Sequence, residues 1–205
     1  MTLANDSVLV TPGTGATVAT HLVNSKEHQV VMIAGPSGHL KDTLDSYAYH
    51  FGANVGAQNK IHAEVFNATG SGKVVKLRKL FLFSNQAAIT GVVHEFGFDI
   101  TSAVGTGGTT ITGRPHDSGN TALVAQITAR HAPSGGATQN FRLYSIHINP
   151  EETISAHSIH PIINWLPEHD VMQDITLREN EGFRLIQITN NTAATWICTM
   201  HLTIE

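Results

Sequence analysis

Residues 60–83 read KIHAEVFNATGSGKVVKLRKLFLF. In the first half of this stretch Ile61, Ala63 and Val65 alternate with polar positions, a period of two that is typical of a β-strand. Residues 73–83 alternate in the same way before an apolar end, and a glycine-containing loop joins the two runs. The stretch therefore predicts two strands that form a β-hairpin.

The rest of the chain after residue 60 continues this pattern of short strands separated by Gly, Pro, Asn and Ser. No part of it has a sustained apolar stripe at helical spacing. A tight turn is expected at 179–182, and the final run is expected to lie inside a sheet, because an apolar strand at an open edge promotes aggregation. The other predicted strands are 92–101, 109–112, 123–130, 141–148, 158–165, 174–178, 183–189 and 194–204. This spacing predicts an all-β fold, an antiparallel β-sandwich of the jelly-roll type.

The first part of the chain differs from the rest. Two short β-like runs, 16–23 and 28–34, are bounded by turn clusters, and 41–56 has a weak periodicity that fits one or two helical turns or an irregular loop. We therefore expect an N-terminal extended arm or small subdomain over residues 1–59 and a β-sandwich body over 60–205.

Composition excludes several functional classes. Only 14% of the residues are charged and the net charge is −4, so a function based on electrostatic binding of nucleic acid is not expected. No apolar run is long enough to span a membrane and no secretory signal is recognisable. The single cysteine, Cys198, excludes an intramolecular disulfide and is expected to be a buried thiol. The uncharged, Thr-rich surface fits either contact with other subunits or a hydroxylated β-protein.

Motifs for catalysis or cofactor binding are incomplete. Residues 69–73 (TGSGK) superficially resemble a phosphate-binding loop, but the required flanking residues are missing and strands are predicted on both sides. The acidic pairs Glu151–Glu152 and Glu179/Glu181 lie beside turn signals and are expected to be solvated. Lys76 and Arg78 are expected on the solvent face of a strand. The sequence thus predicts no catalytic residue, no cofactor and no enzyme.

Thirteen histidines make metal binding a hypothesis to weigh. The closest spacing is His157 to His160, with His169 and His147 nearby in sequence, yet an i, i+3 pair on an extended strand faces opposite sides. We expect no bound metal and interpret the histidines as strand-surface or interface residues. A cupin-like metal enzyme using His147, His157 and His160 is the enzymatic alternative.

Several phrases resemble those of uncharacterised virion proteins of tailed phages. They are AVGTGGTTIT (103–112), PEET (150–153) and RENEGFR (178–184), and the resemblance covers roughly residues 60–205. It implies a non-enzymatic virion protein such as a capsid decoration (cement) protein, located on the capsid surface in preference to the tail. It also implies a homotrimer that contacts the major capsid protein or another virion protein.

In this interpretation the N-terminal arm docks on the shell or on a neighbouring subunit while the sandwich forms the oligomer. Strand addition by an arm provides many backbone hydrogen bonds without charge. The expected apolar anchors of the arm are Val8, Val10, Val18, Val30, Val31 and Ile33.

The alternative function is a glycan- or host-binding jelly-roll module of a phage head or tail fibre. Such modules use aromatic platforms, and Trp165 and Trp196 are the best stacking candidates, although the apolar surroundings of Trp196 favour a core position.

Overall fold

The fold is taken from a computed structural model of the chain. The structure describes residues 18–23, 26–31, 45–84, 93–119, 125–148, 163–165, 174–192 and 194–205. The chain divides into two compact units, Met1–Thr43 and Leu44–Glu205. Within the first unit, β1 and β2 form a two-stranded antiparallel sheet in which Val18 pairs with Val31 and Val23 with Lys26.

All regular structure in the described residues is β-strand, and no helix is present among them. The strands are β1 Val18–Val23, β2 Lys26–Val31, β3 Asp45–Val55, β4 Lys60–Asn67, β5 Val75–Ser84, β6 His94–Thr101, β7 Thr109–Ile111, β8 Arg114–Pro115, β9 Ile127–His131, β10 Gln139–Ile148, β11 Ile163–Trp165, β12 Ile175–Leu177, β13 Glu181–Gln187 and β14 Thr195–Ile204.

The second unit is a sandwich of two antiparallel sheets. The front sheet has the strand order β10-β6-β13-β4-β9-β7, and the back sheet has the order β11-β5-β14-β3-β8, with β12 also paired to β5. The predicted all-β class and antiparallel β-sandwich are confirmed.

The connectivity is that of one long antiparallel hairpin rolled into two sheets. Strands β3 to β6 pair in turn with β14, β13, β12 and β10. Successive strands along each half of this hairpin alternate between the back and the front sheet. A double sheet wound in this way is a jelly roll, and β7, β8 and β9 are inserted between β6 and β10.

The core lies between the inner faces of the two sheets, where apolar side chains alternate along each strand. Its largest fully buried members are Trp196, Tyr49, Phe51, Phe96, Phe98, Phe183, Leu77, Leu80, Leu82, Leu177, Leu185 and Met200. Strand β14 runs between β5 and β3, which confirms the expectation that the C-terminal run is tied into a sheet.

The boundary of the body differs from the sequence prediction. Residues 45–55, assigned from sequence to the arm and to a helical turn or loop, form β3 and pair with β14 over its length. Tyr47, Tyr49 and Phe51 on this strand are buried at 3%, 1% and 0% exposure. Their period-two burial requires a strand, so the body begins at Leu44 and not at residue 60.

The predicted hairpin over 60–83 is also wrong in its pairing. Both strands exist, but β4 lies in the front sheet and β5 in the back sheet, so the loop between them crosses the sandwich. Asn67 holds this crossing: its Nδ2 donates to the carbonyl oxygens of Lys73 at 2.8 Å and Leu177 at 3.2 Å. Gly70 and Gly72 turn the loop with φ of 81° and 62°, values that favour glycine.

The predicted tight turn at 179–182 is confirmed and forms a second crossing beside the first. The Glu181 amide donates to the Arg178 carbonyl at 3.1 Å, and Asn180 adopts a φ of 64°. The Asn180 amide then donates to the Asn67 carbonyl at 2.7 Å, which joins the two crossings at one corner of the sandwich.

Candidate functional site

The outer face of the front sheet carries a row of alternating charges. Five side chains lie in direct register across five neighbouring strands: Arg142, Asp99, Arg184, Glu64 and Arg130. Since side chains alternate along a strand, these residues point away from the core-facing residues that flank them. We call this set the charged row.

Asp99 is the best-connected member of the charged row. Its carboxylate is fully buried and accepts from Arg142 Nε at 2.7 Å and from Arg184 Nε and Nη2 at 3.1 Å each. Gln139 adds a longer contact at 3.4 Å. A buried carboxylate is stable only when its oxygens are paired in this way, so Asp99 ties β6 to the strands on both of its sides.

Glu64 is held by a loop as well as by charge. Both of its carboxylate oxygens accept from the Gly105 amide, at 2.8 and 3.0 Å, and the side chain is almost fully buried. Burial raises the pKa of the Glu64 carboxyl. The hydrogen bond from the Gly105 amide and the charges of Arg130 and Arg184 lower this pKa, but their effect is smaller. A Cβ atom at Gly105 would lie 2.3 Å from Glu64 Oε2 and 2.9 Å from Pro133 Cβ, so a larger residue there would have to displace the Glu64 carboxylate.

Two glycine-rich loops, residues 102–108 and 132–138, cover the charged row. They bond to each other through the amide of Thr106, which donates to Gly135 at 2.6 Å, and the amide of Ser134, which donates to Thr106 at 2.9 Å. Arg184 and Arg130 donate from below to the carbonyls of Ala137 at 2.8 Å and Gly107 at 3.1 Å. The charged row therefore fixes both loops as a second layer on the sheet.

The chemical capacity of the charged row is limited by access. Asp99 and Glu64 have 0% and 1% exposure, so neither carboxylate meets solvent in this conformation. The row is suited to rigidity and not to turnover. The sequence analysis did not predict the charged row. Each of β4, β6 and β13 nevertheless carries a charged residue within a run of buried residues, and this is the signal that could have indicated the row.

A second buried polar group lies between the sheets near the start of β4. His62 is 1% exposed; Asn54 Nδ2 donates to its Nδ1 at 3.2 Å, and its Nε2 faces Gln187 Oε1 at 3.3 Å. This pairing assigns a neutral imidazole that accepts at Nδ1 and donates at Nε2. The pKa of His62 is lowered to about 4, mainly because the imidazole is buried.

Acidification is expected to destabilise the body through His62. The pKa of His62 is about 4 in the folded state and 6.5 in the unfolded state. The contribution of neutral His62 to the free energy of unfolding is therefore complete above pH 6.5 and is lost as the pH falls towards 4. The loss is about 3 kcal/mol. Burial also lowers the pKa values of His94 and His131, which adds to the effect, whereas the raised pKa of Glu64 opposes it.

Denaturant unfolding at several pH values between 7.5 and 4.5 measures this slope. The His62→Gln variant should have a flatter pH dependence than the wild type, while His147→Gln, at a side chain that is 61% exposed, should keep the wild-type slope. Equal slopes in the wild type and His62→Gln would show that His62 is not the acid-sensitive group.

The predicted partner-binding residues fall in the first unit. Val18 lies on β1, and Val30 and Val31 lie on β2, where Val18 pairs with Val31 and Ala19 with Val30. Val8, Val10 and Ile33 lie outside the described residues. The structure thus brings Val18 and Val31 together in one hairpin.

The histidines named in the metal hypothesis are not assembled in the part of the chain that the structure describes. His147 lies on the edge strand β10, and His157, His160 and His169 lie outside the described residues. Among the described residues no group of three or more His, Cys, Asp or Glu is placed to hold a metal ion.

Other expectations about single residues are confirmed. Cys198 is a buried free thiol whose pKa is raised by burial. Trp196 is a core residue at 1% exposure and therefore cannot be a stacking platform, whereas Trp165 lies on β11 opposite Leu80.

Comparisons with protein-family models, curated proteins and solved structures find no match for this chain. No helix in the described ranges is long and apolar enough to cross a membrane.

Proposed function

We propose that this chain is a non-enzymatic structural protein of a tailed-phage virion, a capsid decoration protein that binds the shell through its N-terminal unit. The observation that carries the proposal is the division of the chain into a jelly-roll body and a separate unit with its own β-hairpin. The sequence segments that resemble those of phage virion proteins also support this proposal.

The body suits a decoration protein because its internal charges stiffen it. The charged row pins both glycine-rich loops to the front sheet, so the outer layer is held by hydrogen bonds as well as by packing. A decoration protein needs such a rigid body and an adhesive surface, and it needs no reacting group.

The N-terminal unit suits the adhesive task. Each strand of its hairpin has six residues, and a two-stranded hairpin alone is at best marginally stable in water. Pairing with a strand of a partner would stabilise it by backbone hydrogen bonds. Val8, Val10, Val18, Val30, Val31 and Ile33 are the residues proposed for this contact.

A glycan-binding module is the second candidate, by analogy with jelly-roll lectins. With Trp196 buried, the aromatic side chain among the described residues that favours this candidate is Phe141, which is 49% exposed on the edge strand β10.

Particles assembled without this chain distinguish the two candidates. The purified full-length protein should sediment with them, and light scattering should give about 66 kDa, three times the 22.0 kDa of one chain. A protein that stays in the supernatant but binds sugars on a glycan array would overturn the decoration role in favour of the second candidate.

A further inference from the structure

The outer face of the back sheet carries a row of four residues in register across four strands, and three of the four are basic. Lys79, His201, Ala48 and Arg114 lie in direct register on β5, β14, β3 and β8. Lys79 and Arg114 at its two ends are exposed, and His201 and Ala48 between them are half-buried. Within the described residues neither Lys79 nor Arg114 forms an ion pair.

Two further histidines flank this row. His116 Nε2 lies 3.0 Å from His201 Nδ1, and His116 Nδ1 lies 3.1 Å from Ser46 Oγ. On the other side His50 pairs in register with Thr199, and its Nδ1 lies 3.3 Å from the Thr199 hydroxyl. We call Lys79, Arg114, His50, His116 and His201 the basic face.

Acidic residues near the basic face have other partners, and the carboxylate of Asp117, next to His116 in the chain, accepts from the Gly119 amide at 2.9 Å. Glu205 is paired with Lys76, and Asp174 is paired with Arg78, so each carboxylate already has a cation of its own. The chain as a whole carries a net charge of −4. A positive face on an acidic protein is therefore complementary to an anionic partner.

We propose that the basic face binds an acidic segment of a partner protein, in which two carboxylates pair with Lys79 and Arg114. Four adjacent strands span three spacings, about 14 Å from one end of the row to the other. Two carboxylates four positions apart in an extended peptide span about the same distance. This contact uses the body and not the N-terminal unit, so it goes beyond the proposed function.

The spacing of the charges disfavours nucleic acid as the partner. Duplex DNA carries one negative charge for about every 1.7 Å of its axis and is bound by dense tracks of Lys and Arg. Two charges carried by strands about 14 Å apart match isolated carboxylates better than a phosphate backbone.

Binding should strengthen as the pH falls. Burial, together with His116 and Lys79, lowers the pKa of His201 below its usual value, so this imidazole is neutral at pH 8. A bound carboxylate favours the protonated form. The charged and titratable groups near His201 on this face include Lys76, Arg78, Lys79, Asp174, Glu205, His50, Arg114, His116 and Asp117.

A labelled Ser/Gly peptide with two glutamates four positions apart tests the proposal, with the full-length protein and fluorescence anisotropy at low salt. We expect binding at pH 6 and at least threefold weaker binding at pH 8. The Lys79→Gln/Arg114→Gln variant should weaken binding at pH 6 by about fivefold or more, since each exposed ion pair contributes modestly. His201→Gln should reduce the dependence on pH.

The matched control is Lys73→Gln/Arg178→Gln, which removes the same charge from exposed positions at the crossing corner. It should change the affinity by less than about twofold. Equal weakening by both double variants, or no binding by the wild type, would overturn the proposal. Tighter binding of an oligonucleotide with two phosphodiester charges would overturn the assignment of a protein partner.

Discussion

Replacing Asp99 by alanine is expected to lower the free energy of unfolding by about 3–5 kcal/mol. The fully buried carboxylate pairs with Arg142 and Arg184, and its removal leaves the 8%-exposed Arg184 without the carboxylate that it hydrogen-bonds. Removing one partner of a buried ion pair destabilises a folded protein by far more than the intact pair stabilises it. Urea unfolding followed by tryptophan fluorescence measures the loss.

Asp174→Ala is the matched control for this prediction. Asp174 also pairs with an arginine, Arg78, but both side chains are partly exposed, at 19% and 32%. Its removal should cost no more than about 1 kcal/mol. If the two alanine variants lost the same stability, the charged row would not be the element that holds the front sheet and its loops together.

Deleting residues 1–59 is expected to abolish folding, whereas deleting residues 1–43 is expected to leave the body folded. The longer deletion removes β3 with its buried Tyr47, Tyr49 and Phe51 and exposes the edge of β14. Each buried aromatic side chain contributes roughly 1.5–3 kcal/mol, so the loss is comparable with the whole stability of about 5–15 kcal/mol for a domain.

Thermal unfolding monitored by near-ultraviolet circular dichroism separates these two deletions. The chain that begins at Leu44 should retain a cooperative transition, and the chain that begins at Lys60 should have none. A cooperative transition in the shorter chain would mean that β3 is dispensable and that the body does begin at residue 60.

The class of fold was predictable because each strand carries its own signal. Alternation along β4, β5 and β14 indicates strands without any knowledge of their neighbours. The buried position of Trp196 and Cys198 follows from the same local pattern.

The pairing of strands was not predictable in the same way. The loop after β4 contains glycines whether it closes a hairpin or crosses to the other sheet, because both need positive φ. The choice depends on contacts far along the chain, such as the bond from Asn67 to the carbonyl of Leu177. Residues 41–56 were ambiguous because Leu44, Tyr47 and Phe51 also fit a helical spacing, while Tyr49 completes the period of two.

The charged row depends on sheet order for the same reason. Glu64, Asp99 and Arg184 each stand out in their strands, but only the order β6-β13-β4 brings them into one register. A lone charged residue in a buried strand therefore predicts an ion pair without naming its partner.

The binding of the N-terminal unit to the particle can be tested by co-sedimentation. The chain without residues 1–43 is mixed with particles that were assembled without this protein. We expect the full-length protein to sediment with the particles, and the truncated protein to remain in the supernatant while its thermal transition stays cooperative. Co-sedimentation of the truncated protein to the same extent as the full-length chain would contradict the assignment of particle binding to the N-terminal unit.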